Sequence, residues 1–139
     1  MRFVRMLVPV AAAVLFVPAL ARAQDKPRLT TDSVYTEEQA TRGKDGWATL
    51  CASCHFLEEH SNGDFKATWD TKSLFDLFEL LRTTMPQDNP GALSKDQYID
   101  VVAYILKLNG APSGSVAIPT DTVAMKTIRL VMKAGPPKR

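Results

Sequence analysis

The sequence lacks any run of like charges long enough to form a polybasic patch. Its formal net charge of +2 comes from 17 basic and 15 acidic residues. Three of the basic residues, Arg2, Arg5 and Arg22, precede residue 24, and without them residues 24–139 carry a formal net charge of −1. The basic isoelectric point therefore belongs mostly to the N-terminal segment and gives no reason to expect nucleic-acid binding.

The sequence also lacks an apolar run of the length that a membrane span needs. The run Met6–Leu20 has 15 residues, whereas a spanning helix takes about 20. Arg2 and Arg5 precede this run, and Ala21-Arg22-Ala23 follows it as an A-x-A cleavage site. The order predicts a secretory signal peptide over residues 1–23 and no stable span after cleavage, with an uncleaved anchor as the alternative. No cysteine lies near the site, which excludes a lipid anchor there.

Cysteine is scarce, and both cysteines of the chain lie in the segment Cys51-Ala52-Ser53-Cys54-His55. C-x-x-C-H is the attachment signature of c-type haem. Two cysteines three positions apart near a helix end can each form a thioether with one haem vinyl group. The next residue, His55, can then bind the iron. Export fits this interpretation, because such haem is attached outside the cytoplasm. The motif predicts one covalent haem c.

Three other uses of these cysteines are weighed against haem attachment. A disulfide between Cys51 and Cys54 is possible in an oxidising compartment. A redox-active pair would accompany a βαβ pattern, but the flanking sequence indicates helices. A zinc site needs four ligands, which Cys51, Cys54, His55 and His60 could nominally supply. His60 follows Cys54 by six positions, which is closer than the usual spacing of a two-part zinc site.

Three segments carry the signals of helices, at about residues 36–50, 72–83 and 94–108. Capping boxes begin the first and the third, formed by Thr36 with Gln39 and by Ser94 with Gln97. The second has apolar residues at the i, i+3, i+4 and i+7 spacing of one helical face. Gly43, inside the first helix, costs about 1 kcal/mol relative to Ala, which suggests close approach of another helix.

Met85 is the predicted ligand on the opposite side of the iron from His55. It follows the second predicted helix, and Pro86 disfavours helical geometry at Met85. An extended loop there can lay the methionine across a haem edge. The other candidates are His60, the lysines, and Met125 and Met132 of the tail. A neutral thioether favours Fe(II) more than an imidazole does and raises the potential.

These residues resemble the class I cytochromes c, the soluble type with one haem. The resemblance covers residues 36 to about 112 in order: Gly43, Trp47, the Cys51–His55 motif, Met85-Pro86 and the segment 100–106, which begins with Asp100. In that family a glycine and an aromatic residue of the first helix cross an aliphatic and an aromatic residue of the last. Here Gly43 and Trp47 would pack against Val101 and Tyr104.

A closer similarity links the chain to small bacterial cytochromes c, free or fused, that accompany quinoprotein dehydrogenases. It is carried by Phe65-x-x-x-Trp69, Leu74-x-x-Leu77-Phe78, Thr83–Gly91 and Asn109-Gly110-x-Pro112. It implies a haem pocket with Cys51, Cys54, Trp69, Leu74 and Phe78 around the cofactor and His55 and Met85 on the iron. Ordinary core packing is the alternative for the aromatic residues.

The chain departs from the class I pattern in one position that matters for the iron. Many members have a proline soon after the motif whose carbonyl accepts the imidazole N–H of the iron-binding histidine. No proline lies between His55 and Pro86, so another carbonyl has to accept that N–H. Such a partner tunes the metal.

The resemblance implies an all-α cytochrome c fold with three main helices around one covalent haem and an irregular C-terminal tail. The expected divisions are residues 1–23 as signal peptide, 24–35 as a flexible lead-in, 36–112 as the cytochrome c domain and 113–139 as a C-terminal extension. The extension is expected to pack on the domain or trail from it, with a short helical or extended piece.

The expected function is that of a periplasmic single-electron carrier, not an enzyme. A periplasmic dehydrogenase would donate electrons, and an oxidase or another cytochrome would accept them. Two alternatives remain: a tightly bound haem subunit of a quinoprotein-type dehydrogenase, and a haem-based small-molecule sensor with a labile Met85. A peroxidase is disfavoured because no histidine lies where a distal acid–base group would be expected.

Overall fold

The computed structural model describes residues 26–132. These residues form a mostly helical structure with four main helices, one short helix and a two-stranded sheet. The elements in chain order are β1 (Arg28–Leu29), α1 (Glu37–Leu50), α2 (Gly63–Trp69), α3 (Leu74–Thr84), α4 (Lys95–Leu108), α5 (Thr122–Lys126) and β2 (Ile128–Arg129). Within this range no helix has the length and apolar character to cross a membrane. The predicted signal peptide lies outside the described residues.

Helices α1, α3 and α4 confirm the three predicted helices. Thr36 caps α1 and shares a capping box with Gln39, and Ser94 caps α4 in a box with Gln97. Helix α3 begins after Ser73, whose side chain accepts from the Asp76 amide. Gly110, with φ of 81°, follows the end of α4, where a glycine relieves the cost of left-handed backbone.

Gly43 lies where α1 crosses α4, and this confirms the predicted close approach. A Cβ at position 43 would overlap the Asp100 carbonyl and lie 2.9 Å from the Tyr104 Cβ. The Trp47 and Tyr104 rings have centroids 6.3 Å apart at the same crossing. The Arg42 guanidinium joins α1 to α4 at this crossing by donating two hydrogen bonds, of 2.7 and 2.8 Å, to the Asp100 carboxylate.

Helix α2 was not predicted, so the expectation of three main helices was wrong by one. It has seven residues and is capped by the Asn62 side chain, which accepts from the Phe65 amide at 2.8 Å. Two turns are too short for an apolar face to repeat. The Asn62-Gly63 pair marks this helix start, although in the sequence it indicates only a turn.

The flexible lead-in predicted for residues 24–35 is wrong for the described part of that segment. Val34 and Tyr35 are 0% and 1% exposed, and the Tyr35 hydroxyl donates to the Ala111 carbonyl at 2.7 Å. Strand β1 pairs in parallel with β2, which lies about a hundred residues later in the chain. No local pattern marks a strand of two residues, so the tertiary pairing could not be read from the segment itself.

The C-terminal stretch up to residue 132 contains the expected short helical and extended pieces, α5 and β2. It contributes to the core rather than trailing from it, through the buried side chains of Ile118, Met125, Ile128, Leu130 and Met132. Backbone bonds of 2.9 Å join Leu130 to Thr71 and Lys72 before α3. The packing shows no break at residue 112, where the sequence predicted a boundary.

Candidate functional site

The Cys51–His55 motif forms a tight turn at the C-terminal end of α1. The Cys51 amide still donates to the Trp47 carbonyl at 2.9 Å, and the Cys54 and His55 amides both donate to the Cys51 carbonyl. Backbone bonds thus hold the two thiols and the imidazole on one short turn. This is the arrangement that the spacing predicted.

Neither thiol is in a disulfide; Cys51 is half-buried and Cys54 exposed. Burial raises the pKa of the Cys51 thiol, whereas the cysteine of a thiol–disulfide redox pair needs a lowered pKa. Over residues 26–132 no three His, Cys, Asp or Glu side chains form a group that could hold a metal ion. The disulfide, the redox pair and the zinc site therefore find no support in this geometry.

The His55 ring is half-buried, with a third of its side chain exposed. Its Nδ1 lies 3.5 Å from the Glu59 Oε2, and its centroid lies 6.4 Å from that of Trp47. Within the described part of the chain, Nδ1 makes the only polar side-chain contact of this ring. Nε2 is therefore the nitrogen left to bind a metal.

His60 packs beside His55 in an aromatic cluster. Its ring lies edge-on to Trp47 with centroids 4.7 Å apart, edge-on to His55 at 5.4 Å, and 5.6 Å from Phe65. Burial lowers the pKa of the His60 imidazole. A neutral ring packed against Trp47 supports the motif turn, and this is a role that the sequence did not indicate.

Asn109 ties this turn to α4. Its side-chain amide donates to the His60 carbonyl at 2.8 Å and to the Ile105 carbonyl at 2.9 Å. As a sequence signal, Asn109 followed by Gly110 marks only the end of a helix. The contact with His60 joins positions 49 residues apart, so local patterns could not reveal it.

Met85 is the cap residue at the C-terminal end of α3 and has extended backbone, with φ of −124° and ψ of 149°. This confirms the expected effect of Pro86. The Met85 carbonyl accepts from the Tyr98 hydroxyl at 2.6 Å and from the Gly91 amide at 3.3 Å. Tyr98 is 2% exposed. A buried side chain of α4 thus positions the loop that carries Met85, a role that no local pattern around Tyr98 indicates.

The two methionines of the C-terminal stretch that were alternative ligands lie in the core. Met125 and Met132 are 0% and 3% exposed, whereas Met85 is half-buried. A ligand has to reach the iron with its sulfur, and moving Met125 or Met132 there would empty a packed site. Of these three methionines, only Met85 lies outside a helix or strand and is also half-buried rather than buried.

The predicted pocket residues Trp69, Leu74 and Phe78 are 8%, 0% and 1% exposed. Trp69 lies 6.0 Å from Phe65 between ring centroids, so it continues the aromatic cluster around His60. The Phe78 ring contacts Tyr98 edge-on at 6.4 Å. Both readings of these residues, core packing and haem contact, are compatible with this placement, and their contact with haem stays a prediction.

Comparison with known proteins bears on the same segment. Residues 38–105 match the family model described as cytochrome c oxidase, cbb3-type, subunit III. Residues 38–105 form a cytochrome c domain. Neither curated proteins nor solved structures gave a significant match to the chain. The all-α cytochrome c fold predicted from the sequence is thereby confirmed.

The residues of this cytochrome c domain fit one covalent haem c. Two unpaired thiols lie on one turn, and the adjacent imidazole has its one polar side-chain contact among residues 26–132 at Nδ1, which leaves Nε2 without one. The rings of Trp47 and Phe65 pack beside the turn through His60. A cytochrome c domain with this motif performs haem-based electron transfer with redox partners.

Proposed function

We propose that this chain is a periplasmic single-electron carrier that uses one haem c with His55 and Met85 as its axial ligands. The observation that carries the proposal is the motif turn of the cytochrome c domain, with two unpaired thiols beside an imidazole whose Nε2 has no polar contact among residues 26–132. The bond from the Tyr98 hydroxyl to the Met85 carbonyl, which positions the Met85 loop, supports Met85 as the second ligand. Haem iron with histidine and methionine ligands supplies a one-electron couple of raised potential.

Each residue of the site has a defined task in this proposal. The Cys51 and Cys54 thiols would form the two thioether bonds, and His55 Nε2 would bind the iron. The Tyr98 hydroxyl holds the Met85 carbonyl, so that the Met85 sulfur would be kept in place as the second ligand and would exclude water. With both positions filled, the protein transfers electrons without binding oxygen or peroxide, and no enzymatic step is proposed.

The periplasmic location rests on residues 1–23, which carry the three parts of a secretory signal peptide. In this proposal a periplasmic dehydrogenase donates electrons, and an oxidase or another cytochrome accepts them. Residues 24–139 carry a formal charge of −1, and the two haem propionates would add further negative charge. This favours partners that do not need a basic docking face on this chain.

A second candidate is a haem subunit bound tightly in a larger redox complex. The matched family is named for a subunit of a cytochrome c oxidase, and this observation favours the candidate. The sequence-based argument pointed instead to a quinoprotein-type dehydrogenase, with residues 113–139 as a docking element. Within the described residues 113–132, the side chains of Met125, Ile128 and Leu130 are buried in the domain's own core, so these side chains are not available to a partner.

A redox titration of the purified, haem-loaded protein followed by optical spectroscopy tests the proposed carrier. We expect a single reversible one-electron transition and no binding of CO to the reduced haem. Absence of a reversible transition would refute the proposal, and ready CO binding would favour the sensor. Size-exclusion chromatography of the natively produced protein separates a free carrier, which elutes as a small monomer, from a bound subunit.

A further inference from the structure

The iron-binding histidine of a haem protein needs a hydrogen-bond acceptor for its second ring nitrogen. This acceptor orients the imidazole and sets how strongly it donates to the metal. The proline whose carbonyl does this in many class I cytochromes c is missing after the motif. Among residues 26–132 the polar side-chain group in contact with His55 Nδ1 is the Glu59 carboxylate, with Oε2 at 3.5 Å.

Glu59 is held towards His55 by the local backbone. It lies in the 3-10 helix Leu57–His60, one turn after the histidine. The same oxygen, Oε2, accepts from the Phe56 amide at 3.3 Å. The next residue, His60, is anchored through its carbonyl by Asn109. Because these bonds fix both ends of the short helix, the carboxylate does not depend on His55 alone for its position.

We propose that Glu59 is the positioning residue of the haem ligand, with its carboxylate accepting the hydrogen bond from His55 Nδ1–H. The inference rests on the proposed function, because it takes His55 Nε2 as the iron ligand. A carbonyl is a neutral acceptor, whereas this carboxylate is an anion. It strengthens the basicity of the imidazole, stabilises Fe(III) relative to Fe(II) and lowers the reduction potential below that of a site with a carbonyl acceptor.

The expected effect is modest because the pair is partly open to solvent. The His55 and Glu59 side chains are 33% and 51% exposed, and water screens an exposed charge pair strongly. We therefore expect a change of about threefold in the Fe(III)/Fe(II) equilibrium. This is less than the tenfold change that corresponds to about 59 mV for a one-electron couple.

The test compares Glu59→Gln with Glu58→Gln in the haem-loaded, full-length protein. Both substitutions remove one charge from the same 3-10 helix. The Glu58 carboxylate makes no polar contact within residues 26–132, so its variant measures the general effect of charge. We expect the Glu59→Gln variant to have the higher potential of the two, by about threefold in the equilibrium, with an unchanged low-spin spectrum. Equal shifts in both variants would overturn the proposal.

A measurement on the unmodified protein covers the case in which Glu59→Gln fails to mature. Nuclear magnetic resonance of the reduced form reports the His55 Nδ1 proton directly. We expect a downfield signal protected from exchange with water, and rapid exchange would overturn the proposal. If the unmodified protein carries no covalent haem, or if its haem iron is not bound by His55, the proposed function is refuted. Haem ligated by His55 without the Nδ1 signal refutes only the role of Glu59.

Discussion

The His55 side of the candidate haem site is held mostly by backbone bonds within its own turn, whereas the Met85 side is held by a side chain of the next helix. Residues 51–60 hold one another through turns of three to five residues. The Met85 loop is held by Tyr98, a side chain from another helix. The His55 side has one anchor outside its own segment, the Asn109 amide on the His60 carbonyl, while the Met85 side keeps its geometry only while α3 and α4 stay packed.

The largest expected effect comes from removing the covalent attachment of the haem on the His55 side. Replacing both Cys51 and Cys54 by Ala removes the two thioether bonds, so no haem should stay with the denatured protein. A haem stain of a denaturing gel measures this directly. Ser53→Ala, in the same turn, should retain full staining, and retained staining in the double variant would contradict covalent attachment at this motif.

The crossing of α1 and α4 supports both the His55 side and the Met85 side of the site. Substitutions of two glycines of α1, Gly43 and Gly46, test this crossing as a matched pair. Gly43→Ala places a Cβ against the Asp100 carbonyl and 2.9 Å from the Tyr104 Cβ, which should cost about 3 kcal/mol in the free energy of unfolding. Gly46→Ala meets only the Val101 Cγ2 at 3.8 Å, and it should gain up to about 1 kcal/mol from helix propensity. Denaturant unfolding of both variants checks the signs.

An equal loss of stability in the two glycine variants would show that the helices do not approach each other as described. The same experiment reports on the haem site, because α1 ends at the motif and α4 carries Tyr98. We expect Gly43→Ala to disturb both sides and Gly46→Ala to disturb neither.

Tyr98→Phe acts on the Met85 side alone. It removes the hydroxyl that donates to the Met85 carbonyl at 2.6 Å, a bond worth about 0.5–1.5 kcal/mol. The affinity of reduced haem for CO, which competes with Met85, should therefore rise about two- to tenfold. A CO titration measures it. Tyr104→Phe is the control, since the Tyr104 hydroxyl makes no hydrogen bond in the described range.

The smallest expected effect concerns Tyr35, which also holds a distant carbonyl, that of Ala111. Burial, followed by the nearby charge of Glu37, raises the pKa of the Tyr35 hydroxyl above its ordinary value. Its contribution to stability is therefore complete below about pH 10. This contribution to stability is lost as the pH rises through the pKa of Tyr35 in the folded state, because the unfolded state releases the proton more readily.

Unfolding experiments on the wild type and Tyr35→Phe, at neutral pH and above about pH 10, test this sign. The wild type should be the more stable at neutral pH, and the difference should shrink as the pH rises. A difference that is independent of pH would mean that the hydroxyl does not titrate differently in the folded state.

Sequence reasoning succeeded where a feature repeats locally or carries a cap. Thr36 with Gln39 and Ser94 with Gln97 gave the starts of α1 and α4, and the cost of Gly43 inside a helix pointed to the crossing. The Cys51–His55 spacing pointed to the haem turn. In each case the signal lies within a few residues of the structure that it predicts.

Sequence reasoning failed where the structure depends on distant partners. Arg28 pairs with Ile128 across a hundred positions, so the N-terminal segment appeared flexible. The Tyr98 hydroxyl, the Asn109 amide and the buried tail gain their roles only after α4 packs. Glu59 was missed for a different reason, because the proximity of its carboxylate to His55 depends on the 3-10 geometry of Leu57–His60.

The most direct test of the central claim is the absorption spectrum of the haem-loaded protein, recorded for the wild type, Met85→Ala and Met125→Leu. The band of methionine sulfur on iron should be present in the wild type and in Met125→Leu, whose core volume is nearly conserved. It should be absent in Met85→Ala while the covalent haem remains. A Met85→Ala variant that keeps this band would contradict ligation of the iron by Met85.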